Sequence, residues 1–183
     1  METLTDEMLA HGRSNPAEVF TLVYQGLSPS VHGYLVARGV DDAEAVTHDV
    51  FLALYPRLAT VNGGVKGLKT LIFSIAHARS VDHHRQRARS PMITEYLPEL
   101  DSRFTASAED HALDSALDTG VLDLLGHLGD DQREVLILRI IADLSLEQTA
   151  IIMDKSSGAI KQLQRRALGN LKQELATKSG GTP

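Results

Sequence analysis

Apolar residues along this 183-residue chain recur with the three- and four-residue spacing of amphipathic helices. The clearest case is residues 144–168, where two short helical patterns flank the polar turn Asp154-Lys155-Ser156. Ser145 and Gln148 form a capping-box pattern at the start of the first helix. Its predicted buried face consists of Leu146, Thr149, Ala150 and Met153.

The second helix of this pair begins after Ser156, a suitable N-cap, and its two faces differ in polarity. The predicted buried face consists of Ile160, Leu163, Ala167 and Leu171. The turn and the opposite face supply the candidate DNA-binding residues Lys155, Ser156, Ser157, Gly158, Lys161, Gln162, Arg165 and Arg166. Glutamine suits adenine edges, and arginine suits guanine edges or phosphates. The pattern is therefore typical of a helix-turn-helix reading a major groove, although a helical hairpin with a solvated charged face remains open.

The N-terminal half predicts four helices after a loose tail, residues 1–14. Asn15 and Pro16 begin the first helix, which should stop near Gly26, and the second should run from Ser30 to Gly39. The third begins at Asp41 and is ended by Pro56, because proline removes a backbone donor. Its predicted apolar face is Ala43, Val46, Val50 and Leu54.

Residues 59–65 contain Asn62-Gly63-Gly64 and are predicted to form a loop. A long fourth helix follows over residues 66–89, and its second half is polar and basic almost all round. The residues predicted to face inward are Leu68, Leu71, Ile72 and Ile75.

The C-terminal half predicts two helices before the helix-turn-helix pattern. Asp130 or Asp131 should cap the second of them, and residues 177–183 should form a disordered tail. The first of them carries Leu113, Leu117, Val121 and Leu124. The fold class predicted from these patterns is all-α, with two small helical domains over residues 15–90 and 112–177. An acidic linker over residues 91–111 joins them.

Charge along the chain alternates in long blocks, although the net charge is only −6. Residues 66–89 and 155–172 are strongly basic, whereas residues 95–131 are strongly acidic. This arrangement suits two DNA-facing modules joined by a segment that avoids DNA, and it disfavours a general nucleic-acid coat. The acidic block is also what a solvated, disordered spacer would contain.

The chain contains no cysteine, which excludes disulfides, thiolate zinc sites and thiol redox switches. No apolar run has membrane-spanning length and the N-terminus lacks signal-peptide features, so we expect a cytoplasmic protein without membrane insertion. His77, His83 and His84 do not complete a metal-ligand set, since adjacent helical residues diverge by about 100°. No nucleophile-elbow, phosphate-loop or dinucleotide motif is present, and we expect no cofactor, no metal and no enzymatic activity.

Several of these segments together resemble bacterial RNA polymerase sigma factors of the extracytoplasmic-function (ECF) group. DDAEAVTHDVFLALYPRL resembles their polymerase-clamp helix, and LKTLIFSIAHARSVDHHRQRAR resembles their minus-ten helix. LGDDQREVLILRIIADLSLEQTAIIMDKSSGAIKQLQRRALGNLKQEL resembles the domain that binds the minus-thirty-five element. The chain departs from the family pattern at Thr70, where tryptophan is usual, and at His77-Ala78, where Arg-Asn is usual.

The resemblance implies a promoter-specificity subunit whose partners are core RNA polymerase and promoter DNA, with an anti-sigma factor as a further candidate. It implies minus-ten contacts from Asn62, Lys66, Lys69, Thr70, His77, Arg79, His83 and Gln86. It implies polymerase contacts from Asp42, His48, Asp49 and Leu52. The alternative is a stand-alone helix-turn-helix regulator whose N-terminal part dimerises or senses a signal. A sigma-like protein that binds core polymerase without opening promoters is a third possibility.

Overall fold

The computed structural model describes residues 4–11, 15–89 and 119–179, and this part of the chain contains helices and no strand. The helices are α1 (Asp6–His11), α2 (Pro16–Ala37), α3 (Ala43–Leu54), α4 (Gly64–Arg89), α5 (Thr119–Gly126), α6 (Asp130–Leu136), α7 (Leu146–Ile152) and α8 (Ser157–Ser179). We call α1–α4 the N-terminal module and α5–α8 the C-terminal module. The predicted all-α, two-domain fold is confirmed. The predicted linker and the predicted helical positions Leu113 and Leu117 lie outside the described residues.

Helix α2 is one continuous helix with Pro29 inside it, so the prediction of two helices was wrong. Buried residues continue through the proline at helical spacing, from Val23 and Leu27 to Val31 and on to Tyr34. The free energy gained by burying this continuous face exceeds the cost of the backbone hydrogen bond that proline removes. The helix ends in a Schellman motif at Gly39, whose φ of 71° is easily reached only by glycine.

Helix α3 begins after Asp42, whose Oδ1 accepts a 3.0 Å hydrogen bond from the Ala45 N–H, one residue beyond the predicted cap. Its buried face is rotated relative to the prediction, because Thr47 and Phe51 are buried while Val46 is only half-buried. Thr47 can be buried because its hydroxyl donates a 2.7 Å hydrogen bond to the Ala43 carbonyl.

Helix α4 lies at the centre of the N-terminal module and packs against α1, α2 and α3. A 3₁₀ turn (Tyr55–Thr60) precedes it, so the predicted loop shortens to residues 61–63. Its fully buried positions include the predicted Leu68 and Ile72, but Leu71 is only half-buried and Phe73 takes the inward place.

The C-terminal module begins with α5, where the predicted inward Val121 is 43% exposed and Leu125 is buried instead. Gly129 precedes α6 as its N-cap, so the predicted aspartate caps are wrong. Helix α6 continues into a π-helical turn (Ile137–Ile141). Helix α8 extends to Ser179, which corrects the predicted start of the tail at residue 177.

The two modules touch each other in this structure. Helix α7 packs against α4, and the π-helical turn packs against α2. Buried apolar side chains of both modules, including Ile72 and Leu138, belong to one continuous cluster. The C-terminal module therefore lies directly on the N-terminal module.

Candidate nucleic-acid and polymerase interfaces

The helix-turn-helix at α7 and α8 has the caps predicted from its sequence, but the buried face of α7 includes Gln148 and Ile152, while the predicted Leu146 and Met153 are only half-buried. Both halves of the capping box form, since the Gln148 N–H donates to Ser145 Oγ and the Ser145 N–H donates to Gln148 Oε1. Hydrogen bonds from backbone and from Ser145 lower the pKa of the exposed Glu147 carboxylate in the same turn. The turn contains Asp154 at a φ of 51°, a conformation that aspartate adopts more readily than most residues.

Ser156 caps α8, because its Oγ accepts a 3.2 Å hydrogen bond from the Ala159 N–H. Ile160 and Ala167 are fully buried on the inner face of α8. The predicted DNA-binding residues that lie exposed are Ser156, Ser157, Gly158, Lys161, Gln162, Arg165 and Arg166. Lys155 differs, because its ammonium lies 3.1 Å from the carboxylate of Asp131 on α6. The structure thus presents a polar, cationic helix face beside a capped N-terminus.

The loop before α4 is held by close backbone contacts. Gly63 and Gly64 have φ values of 82° and 59°. The Asn62 carbonyl lies so close to Gly67 that a Cβ on Gly67 would collide with it. Asn62 itself is exposed beside a cavity of about 300 Å³ lined partly by Leu9, Val19 and Leu58. Asp6 and Asn62 also line this cavity, so a flat ring could enter it between apolar side chains and polar groups.

The sequence prediction missed a residue at this loop, because Asp6 was assigned to a loose tail. Helix α1 packs on α4, and Asp6 Oδ1 accepts a 2.7 Å hydrogen bond from the Val65 N–H. A free N–H group at a helix N-terminus favours such an acceptor. The available sequence signal was Thr5 before two acidic residues, and Thr5 Oγ1 does accept a hydrogen bond from the Met8 N–H.

The eight candidate minus-ten residues divide into two groups. Asn62, Lys66, Arg79 and Gln86 have exposed side chains. Lys69, Thr70, His77 and His83 are half-buried and bonded to other parts of the protein. His83 Nε2 lies 3.4 Å from Asp41 Oδ2, at the turn between α2 and α3. The other three face the C-terminal module.

Lys69, Thr70 and His77 are contacted by residues of α6, of α7 and of the segment between the π-helical turn and α7. The Gln148 amide donates a 3.1 Å hydrogen bond to Thr70 Oγ1 and a 3.0 Å hydrogen bond to the Lys66 carbonyl. Lys69 Nζ lies 3.7 Å from a carboxylate oxygen of Asp143. His77 Nδ1 lies 2.9 Å from Glu134 Oε1.

One buried carboxylate lies in the contact between the two modules. Glu134, on α6, is 3% exposed, and three side chains of the N-terminal module surround it. Its Oε1 also accepts a 2.7 Å hydrogen bond from the Tyr34 hydroxyl. Its Oε2 lies 2.8 Å from Arg38 Nε in an ion pair whose atoms are not aligned as a hydrogen bond.

The four candidate polymerase residues lie on the outer side of α3. Asp42, His48 and Asp49 are exposed, and Leu52 is 69% exposed. Tyr55, in the 3₁₀ turn that follows, is 50% exposed, which adds an aromatic ring to this surface. The His48 ring lies parallel to the Tyr24 ring, with 6.2 Å between the ring centroids and 5° between the ring planes. Exposed apolar side chains beside acidic ones suit a protein-binding surface.

No group of three potential metal ligands occurs in residues 4–11, 15–89 and 119–179. Within the same ranges, every helix is too short or too polar to serve as a membrane span.

The comparisons with known proteins agree with this architecture. Residues 124–173 match the family model "Sigma-70, region 4". The chain is 30% identical over 168 residues to the ECF RNA polymerase sigma factor BldN of Streptomyces coelicolor. That match covers 90% of this chain but only 63% of BldN.

A second relative and a solved structure give the family and the fold. The RNA polymerase sigma-E factor of Streptomyces antibioticus is 34% identical over 131 residues, covering 68% of this chain and 69% of the relative. The sigma factor RpoE of Bartonella quintana, solved in complex with the anti-sigma factor NepR, has a TM-score of 0.64 and 21% identity. That likeness covers 86% of this chain and 96% of RpoE, and it supports the fold alone. The identity and coverage of the second relative, together with the region 4 match, place this chain in the ECF group of RNA polymerase sigma factors.

Proposed function

We propose that this chain is a promoter-specificity subunit that binds core RNA polymerase and directs transcription initiation through minus-ten and minus-thirty-five elements. The observation that carries the proposal is the exposed polar and cationic face of α8, which follows a capped turn in a helix-turn-helix. The chain lends sequence preference to the polymerase and performs no chemistry of its own. It acts where the polymerase acts, in the cytoplasm.

At the minus-thirty-five element, Gln162 is the proposed base reader, because it is exposed near the middle of the polar face of α8. Lys161 and Arg165 flank it and bind phosphates, which take most protein–DNA hydrogen bonds. Ser157 and Gly158 allow the helix end to approach the backbone closely. Lys155 reaches DNA only if it leaves its ion pair with Asp131.

At the minus-ten element, the loop at Asn62 and its cavity receive an unstacked base, and Lys66 and Arg79 bind phosphates. Flipping a base out of the stack costs a few kcal/mol, which stacking and hydrogen bonds in a pocket must return. Gln86 lies exposed further along α4 and extends the same interface. Because Thr70 stands where the family usually has tryptophan, we expect weak strand separation in the absence of polymerase.

The partners we propose are core RNA polymerase, promoter DNA and an anti-sigma factor. The polymerase clamp binds the outer side of α3 around Asp49 and Leu52. The anti-sigma proposal is supported by the complex of the Bartonella quintana sigma factor with NepR, which shares this fold.

The proposal is tested by pull-down with purified core polymerase, followed by run-off transcription on genomic fragments. We expect stable core binding and discrete transcripts. Asp49→Arg should weaken core binding while the helical circular dichroism stays unchanged. Glu18→Arg makes the same charge change at an exposed position on α2 and should bind core normally. Normal core affinity of Asp49→Arg would remove α3 from the polymerase interface.

The stand-alone regulator makes opposite predictions. It would be a dimer and would protect a palindromic site on duplex DNA without polymerase. A sigma subunit should be a monomer that binds duplex promoter DNA poorly alone. Sedimentation and footprinting of the free chain therefore separate the two functions.

A further inference from the structure

The loop that precedes α4 contains an asparagine followed directly by a glycine. Asn62 and Gly63 are both exposed, and residues 61–63 belong neither to the 3₁₀ turn before them nor to α4. Within residues 4–11, 15–89 and 119–179, no group forms a hydrogen bond with the side-chain amide of Asn62. This amide is therefore free to turn toward the backbone of the residue that follows it.

The backbone N–H of Gly63 is also left unused by α4. The Gly63 carbonyl accepts a 3.0 Å hydrogen bond from the Gly67 N–H, which makes Gly63 the N-cap of the helix. The N–H of an N-cap residue is bonded only where a glutamate or glutamine stands three residues later. Lys66 stands at that position, and its ammonium has no acceptor. The Gly63 nitrogen is therefore available beside the Asn62 amide.

These two groups are the reactants of asparagine deamidation. Asparagine is a thermolabile residue, and a following glycine has no Cβ to crowd the reaction. The Gly63 nitrogen loses its proton to hydroxide and bonds to Cγ of Asn62, the Cγ–Nδ2 bond breaks, and Nδ2 leaves as ammonia after taking a proton from water. Water then adds to either carbonyl of the cyclic imide and the ring C–N bond opens, which yields aspartate or isoaspartate. The reaction consumes water, releases ammonia and needs no oxidant or reductant.

The other two asparagines of the chain lack these conditions. Asn15 is followed by Pro16, whose nitrogen carries no proton to lose. Asn170 lies within α8, where the following N–H belongs to the helical hydrogen-bond ladder. Its Nδ2 also donates a 3.0 Å hydrogen bond to Gln132 Oε1. The chain thus contains its own control positions for the reaction at Asn62.

The products would change the loop in charge and in shape. Asp6 already lines the cavity beside Asn62, so either product adds a second carboxylate to that lining. Isoaspartate also inserts a methylene group into the backbone, and the Asn62 carbonyl lies too close to Gly67 to move without shifting the loop. A carboxylate there repels the phosphates of a DNA strand and cannot donate a hydrogen bond to a base.

We propose that Asn62-Gly63 is a site of spontaneous deamidation, and that the reaction disables the promoter-opening loop as the chain ages. The loss of promoter opening rests on the proposed function, because the loop is the proposed site for an unstacked base. The modification itself does not depend on that function.

The chemical test follows the modification in the folded, full-length chain. The chain is incubated in mildly alkaline buffer made with heavy-oxygen water and is then digested with trypsin. The peptide of residues 58–66 contains Asn62, and the peptide of residues 167–172 contains Asn170. Mass spectrometry measures the fraction of each peptide in which labelled oxygen has replaced the amide nitrogen, and an isoaspartyl methyltransferase detects isoaspartate. We expect Asn62 to react at least about tenfold faster than Asn170, a difference of about 1.4 kcal/mol in the barrier.

The functional test uses holoenzyme reconstituted with fresh or aged chain on a promoter fragment. Open-complex formation should fall in proportion to the modified fraction of Asn62. Asn62→Asp carries the product carboxylate from the start and should form about tenfold less open complex, which corresponds to about 1.4 kcal/mol. Asn170→Asp makes the same change on α8 and should form open complex as the fresh wild-type chain does.

A further variant separates deamidation from other effects of age. Asn62→Gln moves the amide one methylene further from the backbone, so the activity of this variant should not decline from its own starting value. Gly63 is left unchanged, because its φ of 82° suits glycine.

Two results would overturn the proposal while leaving a promoter-specificity function intact. The first is a rate at Asn62 no higher than the rate at Asn170. The second is a chain modified at Asn62 that forms open complex as well as the fresh chain does. Failure of the fresh wild-type chain to bind core polymerase would instead refute the proposed function and, with it, the loss of promoter opening, whereas the mass measurement would still decide the modification.

Discussion

The contact between Gly67 and the Asn62 carbonyl gives a sharp test of the loop that precedes α4. Replacing a helix-interior glycine by alanine normally stabilises a protein by about 0.5–1 kcal/mol. Gly169 on α8 should follow that rule, because a Cβ there has nothing within 4 Å. At Gly67 the new methyl group would collide with the Asn62 carbonyl oxygen, and overpacking of this kind costs about 1–3 kcal/mol.

The difference between Gly67→Ala and Gly169→Ala therefore isolates the cost of displacing the loop, about 1–3 kcal/mol. Urea unfolding followed by circular dichroism measures it, with equal m-values as the sign that both native states remain compact. Gly67→Ala should also reduce open-complex formation on a promoter fragment, because Asn62 moves with the loop, whereas Gly169→Ala should not. Equal stability of the two variants would show that the Asn62 carbonyl does not press on Gly67.

Three further predictions concern the module contact and the DNA-reading face. The pKa of Tyr34 is higher in the folded chain than in the unfolded chain, so its contribution to the free energy of unfolding is present below about pH 10 and falls above it by about 1.4 kcal/mol per pH unit. Tyr34→Phe should remove this dependence of the free energy of unfolding on pH, as measured by urea unfolding at pH 9–11. Gln148→Glu should destabilise the chain more than Gln148→Ala, because glutamate keeps the helix cap but places a buried carboxylate oxygen against the Lys66 carbonyl, where the amide now donates; equal midpoints in thermal unfolding would contradict this. Gln162→Ala in holoenzyme should cost about 1–3 kcal/mol of binding free energy on the preferred site and relax the sequence preference at one base pair. Lys161→Ala should instead weaken binding to all sites and lower the slope of log affinity against log salt concentration by about one. An unchanged sequence preference of Gln162→Ala across a library of upstream elements would exclude Gln162 as a base reader.

Local signals in the sequence were sufficient for much of the fold. The Ser145–Gln148 capping box and the Ser156 cap formed as predicted, because each depends on residues within one turn. On the predicted inner face of α8, Ile160 and Ala167 are buried, whereas Leu163 and Leu171 are only half-buried. Helix α2 could not be predicted in one piece, because Pro29 and Gly26 are normally terminators and only burial along the whole helix overrides them.

The arrangement of the candidate site could not be predicted by the same means. Tyr34 and Glu134 are 100 residues apart, and Asp6 and Val65 are 59 apart, so no local periodicity connects them. The pattern of polar residues on α4 predicts which side chains point away from the hydrophobic core of the N-terminal module. It does not distinguish Arg79, which is exposed, from His77, which faces another module.

The surroundings of Glu134 also limit how the two modules can be recombined. A hybrid that joined α1–α4 of this chain to the C-terminal module of a relative without an acid at this position would leave Arg38 in an apolar contact with no counter-ion. Leaving one member of a buried ion pair unpaired costs about 3–5 kcal/mol, so the two modules of such a hybrid would not pack together and would expose apolar surface. Engineers who exchange promoter-reading modules between sigma factors would need to transfer the acid together with its tyrosine, arginine and histidine partners, or to neutralise all of them together.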